Sequence, residues 1–325
     1  MRTREHLDAV IKAYDVRGVV GEDIDENFVR DTGAAFAAIL REEGENTVAV
    51  GHDMRPSSPS LARAFAEGVT SQGLNVTLLG LTSTDELYYA AGSLECAGAM
   101  FTASHNPAKY NGIKLCRAGA VPVGQETGLE QIKQMLIDGT PEFTGTEGAI
   151  AEQEILAGYA DFLRKLVPLE DSKPLVVAVD AANGMGGHTV PAVFNGLPFD
   201  VRDLYFELDG TFPNHEANPL DPKNLVDLQK FTVDQKADIG LAFDGDADRC
   251  FVVDEKGQPV SPSAICALVA ERYLEKFPGA TIIHNLITSK TVPELIKEKG
   301  GTPVRTRVGH SFIKAQMAEH QAAFG

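Results

Sequence analysis

Ala97-Gly98-Ala99-Met100-Phe101-Thr102-Ala103-Ser104-His105-Asn106-Pro107 changes character halfway along. The apolar run Ala97 to Phe101 reads as a buried strand, and Pro107 prevents regular pairing from continuing. The strand delivers Ser104 to its end, where His105 and Asn106 add donors, so the stretch presents a hydroxyl. A Ser/Asn/Pro turn that merely closes a strand accounts for the same residues. A second piece shifts the odds: Asp244-Gly245-Asp246-Ala247-Asp248-Arg249 follows another apolar run, Ile239 to Phe243, and spaces three carboxylates two residues apart between small side chains.

In an extended loop, residues i, i+2 and i+4 share a face, so Asp244, Asp246 and Asp248 can converge; on a helix Asp246 would point away. Three like charges in one pocket raise each other's pKa, and a hard, oxygen-seeking cation such as Mg2+ removes that penalty. The rival is an EF-hand calcium loop, for which Glu255 even stands at the twelfth place. Against it, Arg249 occupies the position where that loop needs glycine, and Cys250 to Val253 reads as a strand.

Outward from these loops, strand and helix alternate. Phe28, Val29, Thr32, Phe36, Ile39 and Leu40 recur at helical spacing before Gly44. Thr47 to Val50 is a strand, followed by Gly51-His52-Asp53-Met54-Arg55 and a helix entered through Ser57, Ser58 and Pro59. Asn75 to Leu79 is a strand and Asp85 to Ala91 a helix, so the alternation predicts an α/β layer structure with ligands gathered at the carboxyl ends of strands. Asn111-Gly112 reads as a tight-turn pair, and Ile113-Lys114-Leu115-Cys116 alternates as a strand does. Lys114 is then either an inward lysine that titrates low and shuttles protons, or an outward lysine on an edge strand. For His52 and Arg55, a solvated loop and a phosphate contact stay equally open; for Arg17, a plain surface arginine is the alternative. The glycine-rich Asp180 to Gly187 before a helix fits no nucleotide motif and reads as a close-packed turn. The strand-ending runs Thr47 to Val50, Val176 to Val179 and Thr281 to Ile283 repeat one theme, as successive similar domains would.

Composition bounds the rest. The 325 residues suffice for two or three domains, and 43% hydrophobic residues for real cores. A net charge of -17 disfavours nucleic acid or an anionic membrane as partner. The cysteines Cys96, Cys116, Cys250 and Cys266 form no C-x-x-C pair, which argues against zinc and for reduced, mostly buried thiols. The start of the chain has no apolar leader, and no apolar span reaches about 18 residues, so the expected location is the cytoplasm.

Tyr14-Asp15-Val16-Arg17-Gly18, the serine loop Thr102 to Pro107, Asn111-Gly112-Ile113-Lys114, the aspartate loop Asp244 to Arg249 and Val308-Gly309-His310 occur in this order. Together they resemble the alpha-D-phosphohexomutases, the family of phosphomannomutase and phosphoglucomutase, and the resemblance runs over essentially the whole chain. It implies an isomerase that exchanges the 6- and 1-phosphates of a hexose, mannose or glucose, through a phosphoserine and a hexose 1,6-bisphosphate that serves as intermediate and activator. It implies Ser104 as phosphoryl carrier, with Mg2+ held by Asp244, Asp246, Asp248 and an oxygen of the group on Ser104. Arg17 and His105 then belong to the catalytic cleft, Lys114 is the candidate general acid/base, and Arg249, Lys290 and His310 meet the substrate; for Lys290 and His310 a surface or capping role is the alternative. His52 departs from the arginine more usual at its place in the family.

The resemblance further implies similar α/β/α domains with mixed sheets around a shared cleft, divided here as 1–148 with the phosphoserine loop, 149–255 with the metal loop, and an incomplete 256–325. The family's fourth, phosphate-binding domain is missing from this expectation, and the sugar-reading loop would begin just past Gly325. A fragment that binds sugar phosphates without turning them over is therefore the alternative to an active mutase, a monomer or weak homo-oligomer in either case. A phosphatase with an Asp-x-Asp nucleophile fits poorly, because it explains neither the third aspartate nor the separate serine loop.

Overall fold

The computed structural model describes residues 2–325, apart from the side chains of His310 and Ser311. The chain forms two compact units, Met1–Gly257 and Gln258–Gly325.

The first unit begins with α1 (Arg4–Val10), β1 (Val16–Val19), α2 (Glu26–Glu42), β2 (Thr47–His52), α3 (Ser58–Ser71), β3 (Asn75–Leu81), α4 (Thr84–Ser93), β4 (Ala97–Phe101) and β5 (Tyr110–Arg117). It continues through β6 (Val121–Pro122), α5 (Leu129–Asp138) and β7 (Ile150–Glu152). These strands make one mixed sheet in the order β1-β5-β4-β2-β3-β7, with β6 on β5. β2 runs parallel to β3 and β4, whereas β5 runs antiparallel to both β4 and β1. All five residues of β4 are buried. A strand covered on both faces needs no polar alternation, which is why its sequence is a plain apolar run.

Local chemistry sets the helix starts. Asp25 caps α2, its carboxylate accepting from Phe28 N at 2.7 Å, and Phe28, Val29, Thr32, Phe36, Ile39 and Leu40 are all buried as their spacing predicts. Ser83 and Glu86 form a reciprocal capping box at the start of α4. Ser57, in contrast, makes no cap hydrogen bond to α3; its hydroxyl accepts from Asn111 Nδ2 instead.

Asn111 and Gly112 are not a turn. They lie inside β5, opposite Gly18 and Arg17 of β1. A β-carbon at Gly112 would come within 2.3 Å of the Val16 carbonyl oxygen and 2.9 Å of that of Thr102. Glycine is required there for close strand approach, a need that its sequence pairing with asparagine disguises.

After a segment without regular structure at 139–149, β7 pairs in parallel with β3, so the first sheet reaches past residue 148. The unit goes on with α6 (Leu156–Leu166), β8 (Leu175–Asp180), α7 (Gly186–Phe194), β9 (Phe199–Leu204), α8 (Val226–Asp234), β10 (Ile239–Phe243) and β11 (Cys250–Asp254). Its second sheet has the order β11-β10-β8-β9, with β8 parallel to β10 and β9 and β11 antiparallel to β10. Leu225, Leu228, Ala237, Ala242 and Val253 form a core on this sheet.

The second unit holds α9 (Pro262–Lys276), β12 (Thr281–Asn285), α10 (Thr291–Glu298), β13 (Thr302–Thr306) and α11 (His310–His320). β12 and β13 pair in parallel, and Ile282 also bridges to Phe324. Ala267, Ala270, Leu274, Ile282, Val292 and Ile296 are its core. The fold is therefore α/β with mixed sheets. No disulfide joins the cysteines, and among the described residues no helix is long and apolar enough to cross a membrane.

Candidate active site

The serine loop leaves β4 and the aspartate loop leaves β10, and within the first unit the two meet. Ser104 follows β4 in the left-handed region, at φ +51°. It is not exposed, as a strand-end hydroxyl is expected to be, but only 3% accessible. The aspartate loop covers it: a β-carbon on Gly245 would come within 2.3 Å of the Ser104 carbonyl oxygen, so only glycine permits this approach. Ser104 Oγ donates to Asp244 Oδ2 at 2.8 Å and accepts from Arg249 Nη2.

The three aspartates converge, with one oxygen from each lying within 4.8 Å of the others. They do so by a turn rather than by extended alternation. Ala247 is left-handed at φ +58°, its N–H donates to the Asp244 carbonyl at 3.0 Å, and Arg249 N closes back on Asp244 Oδ1 at 3.0 Å. Asp244 and Asp246 are fully buried, and Asp248 is exposed. Burial, then the charges of Asp246 and Asp248, raise the pKa of Asp244 well above the usual carboxylate range. Asp246 moves the other way. Burial opposes ionisation there too, but the Lys114 ammonium and hydrogen bonds from Lys114 and Thr84 hold its pKa below the ordinary value.

Lys114 points inward from β5. Its Nζ donates to Asp246 Oδ2 at 2.6 Å and Asp248 Oδ2 at 2.7 Å. An inward lysine is expected to titrate low; here burial does push that way, but Asp246 and Asp248 outweigh it and raise the pKa. Lys114 is thus a firmly held ammonium beside these carboxylates.

Arg17 is no surface arginine. Its Nη1 donates to Asn106 Oδ1 at 2.5 Å and to the Ala103 carbonyl at 3.3 Å, and Nη2 to Asp15 Oδ2 at 2.7 Å. His105 accepts from Arg249 Nη2 through Nδ1 at 2.6 Å. Burial, then the neighbouring guanidinium charges of Arg249 and Arg17, lower its pKa to about 4, so it is a neutral imidazole at physiological pH, and on Nδ1 an acceptor where a donor is expected.

Two further residues reach the site, one unmarked in the sequence and one left open by it. Thr84 opens α4, one residue before the start at Asp85 that the sequence predicts, and its hydroxyl donates to Asp246 Oδ2 at 2.5 Å and its N–H to the Asp246 carbonyl at 3.3 Å. Arg55, open between a solvated loop and a phosphate contact, is neither: its side chain is wholly buried against the serine loop. His52 stays half-buried, with Nδ1 against the Asp53 carbonyl at 2.9 Å. In the second unit, Lys290 is exposed at the start of α10, and the side chain of His310 lies outside the described residues.

The chain matches three successive family models: the phosphoglucomutase/phosphomannomutase alpha/beta/alpha domain I over residues 8–141, domain II over 157–257 and domain III over 261–325. The chain belongs to the phosphoglucomutase/phosphomannomutase family. Among curated members of this mutase family, a phosphomannomutase of Salmonella montevideo is 37% identical over 322 residues, which span 97% of this chain and 70% of the relative. A phosphoglucomutase of Neisseria meningitidis serogroup B is likewise 37% identical, over 308 residues that span 94% of this chain and 66% of the relative. A crystal structure of a phosphoglucomutase/phosphomannomutase family protein from Burkholderia thailandensis matches with a TM-score of 0.91 at 32% identity, covering 99% of this chain and 70% of that one.

Proposed function

We propose that this member of the mutase family interconverts hexose 6-phosphate and hexose 1-phosphate, of mannose or glucose, with Ser104 as the phosphoryl carrier. The observation that carries the reading is the Ser104 hydroxyl itself, hydrogen-bonded at once to a carboxylate, Asp244, and to a guanidinium, Arg249. A hydroxyl placed between an acceptor for its proton and a cation for the oxygen it exposes is suited to give and take a phosphoryl group.

The residues present also fit a hard divalent cation such as Mg2+. Asp244, Asp246 and Asp248 offer only oxygens, close together, and Asp246 Oδ1 is buried with no hydrogen-bond partner among the described residues. When bound, such an ion would neutralise charge developing on the transferring group.

In the transfer, a hydroxyl of the hexose monophosphate displaces Ser104 Oγ at phosphorus. One P–O bond forms as the other breaks, yielding the 1,6-bisphosphate; return of its other phosphoryl group to Ser104 completes the exchange. Arg249 supplies positive charge beside Oγ, and Arg17 holds the loop through the Ala103 carbonyl and Asn106. His105, neutral, accepts from Arg249 and orients it. Lys114, the ammonium held beside Asp246 and Asp248, is assigned the general acid/base role of handling the proton of the reacting hydroxyl. Lys290 and His310 are assigned to substrate contact, and a cytoplasmic setting, where thiols stay reduced, accords with the reading.

The test is to incubate the chain with glucose 1,6-bisphosphate and map the product by mass spectrometry. One phosphoryl group on Ser104, absent from Ser104→Ala, is expected, together with turnover of mannose 1-phosphate or glucose 1-phosphate when the bisphosphate is supplied catalytically. Label on another residue, or an unaffected Ser104→Ala, overturns the assignment.

A further inference from the structure

An arginine presents five N–H donors in one rigid plane, and at Arg55 five oxygens take them. Nε donates to Asp53 Oδ2 at 3.1 Å. Nη1 donates to the Pro107 and Tyr110 carbonyls, each at 3.0 Å. Nη2 donates to the Ser104 carbonyl at 3.0 Å and the Asn106 carbonyl at 2.7 Å. Asp53 is itself fixed, its Oδ1 accepting from Arg55 N at 3.0 Å and Ser58 Oγ at 2.6 Å. The ring of Phe212 lies 5.1 Å from the guanidinium carbon.

Four of the five acceptors are main-chain carbonyls between residues 104 and 110, so the serine loop is wrapped around this one cation. Ser104 is left-handed, a conformation that an L side chain keeps only where its surroundings enforce it. We propose that Arg55 is a positioning residue for phosphoryl transfer: by gathering the Ser104, Asn106, Pro107 and Tyr110 carbonyls, it holds Ser104 in its left-handed turn with Oγ against Asp244 and Arg249. The inference rests on Ser104 being the phosphoryl carrier. Lysine cannot substitute, because its three donors radiate from one atom and cannot span four carbonyls.

The experiment uses the 325-residue chain with Arg55→Lys, and with Leu40→Ala as a control for stability, since Leu40 is a fully buried core residue of α2. Three quantities are read: the single-turnover rate of phosphoryl uptake from glucose 1,6-bisphosphate, the bisphosphate concentration at half-saturation, and Mg2+ affinity by calorimetry. For Arg55→Lys the saturating rate is expected to fall about tenfold or more, with half-saturation and Mg2+ affinity within about twofold of wild type, because fixing a reacting group acts on the chemical step. Leu40→Ala should keep the wild-type rate below its melting temperature, and millimolar guanidinium ion should restore part of the rate to Arg55→Gly. A wild-type rate for Arg55→Lys, or an equal fall in Leu40→Ala at matched loss of stability, overturns the proposal while leaving Ser104 as carrier. If Arg55→Lys does not fold, Asp53→Asn replaces it, loosening Nε while retaining every main-chain acceptor; the same split is expected, and a wild-type rate overturns the proposal. A wild-type chain that takes up no phosphoryl group overturns the carrier reading and this inference with it.

Discussion

Asp246 is the most constrained of the three aspartates. One of its oxygens is saturated by Lys114 and Thr84, while the other is buried with no partner among the described residues. Replacing it with asparagine removes a buried negative charge from the aspartate cluster and strips Lys114 of its nearest counter-charge. Outer-shell changes alone typically weaken metal sites about 10–100-fold, so Asp246→Asn should weaken Mg2+ binding by at least about tenfold and lower phosphoryl uptake with it. Calorimetry that finds the same affinity in both proteins would show that the aspartate cluster holds no cation. The contrast between Asp244, driven up, and Asp246, driven down, arises from one difference at residue scale: Asp246 has the ammonium.

Two elements carry their own predictions. The antiparallel pair β1 and β5 brings Arg17 to the serine loop, and it closes only because Gly112 has no β-carbon. Gly112→Ala would drive a methyl group into two main-chain oxygens that cannot rotate aside. Overpacking of this kind costs about 1–3 kcal/mol, so a urea melt should show a lower midpoint; an unchanged midpoint would mean that the strands part freely. The loop between β9 and α8 is pinned by His215, whose Nε2 meets Asp180 Oδ2 and whose Nδ1 meets the Glu216 carbonyl, both at 2.9 Å. Two acceptors on one ring require both nitrogens to be protonated. Burial pulls the His215 pKa down, but the hydrogen bond and charge of Asp180 prevail, leaving it above the ordinary 6.5. A raised folded-state pKa stabilises fully below the unfolded value and is lost as pH rises through the folded one. The gap in Tm between wild type and His215→Gln should therefore be widest below about pH 6.5 and close as the pH rises through the raised folded-state pKa. A gap that widens with pH would show that the imidazole is held neutral.

For the whole molecule, every described contact among Ser104, the aspartates, Lys114, Arg17, Arg55 and Arg249 lies inside the unit Met1–Gly257, which has its own cores. Expressed alone, residues 1–257 should unfold cooperatively and bind Mg2+ with an affinity within about threefold of that of the full chain, since no ligand is removed. Loss of binding in a folded 1–257 piece would mean that residues beyond 257 complete the metal site.

The sequence by itself determined the α/β class, the strands that end at Ser104 and Asp244, the core face of α2 and the family, because each is written in local spacing: apolar runs, a 3.6-residue period, and motifs in order. Tertiary structure alone decided the rest. That Gly112 lies in a strand depends on the Val16 carbonyl, remote in sequence; that Ser104 is buried depends on Gly245; that Lys114 keeps its proton depends on Asp246 and Asp248. Arg55 is the clearest case. Its letters are those of any polar loop, and only the folding of residues 104–110 around it supplies the acceptors that turn a buried charge from a penalty into a fixed point.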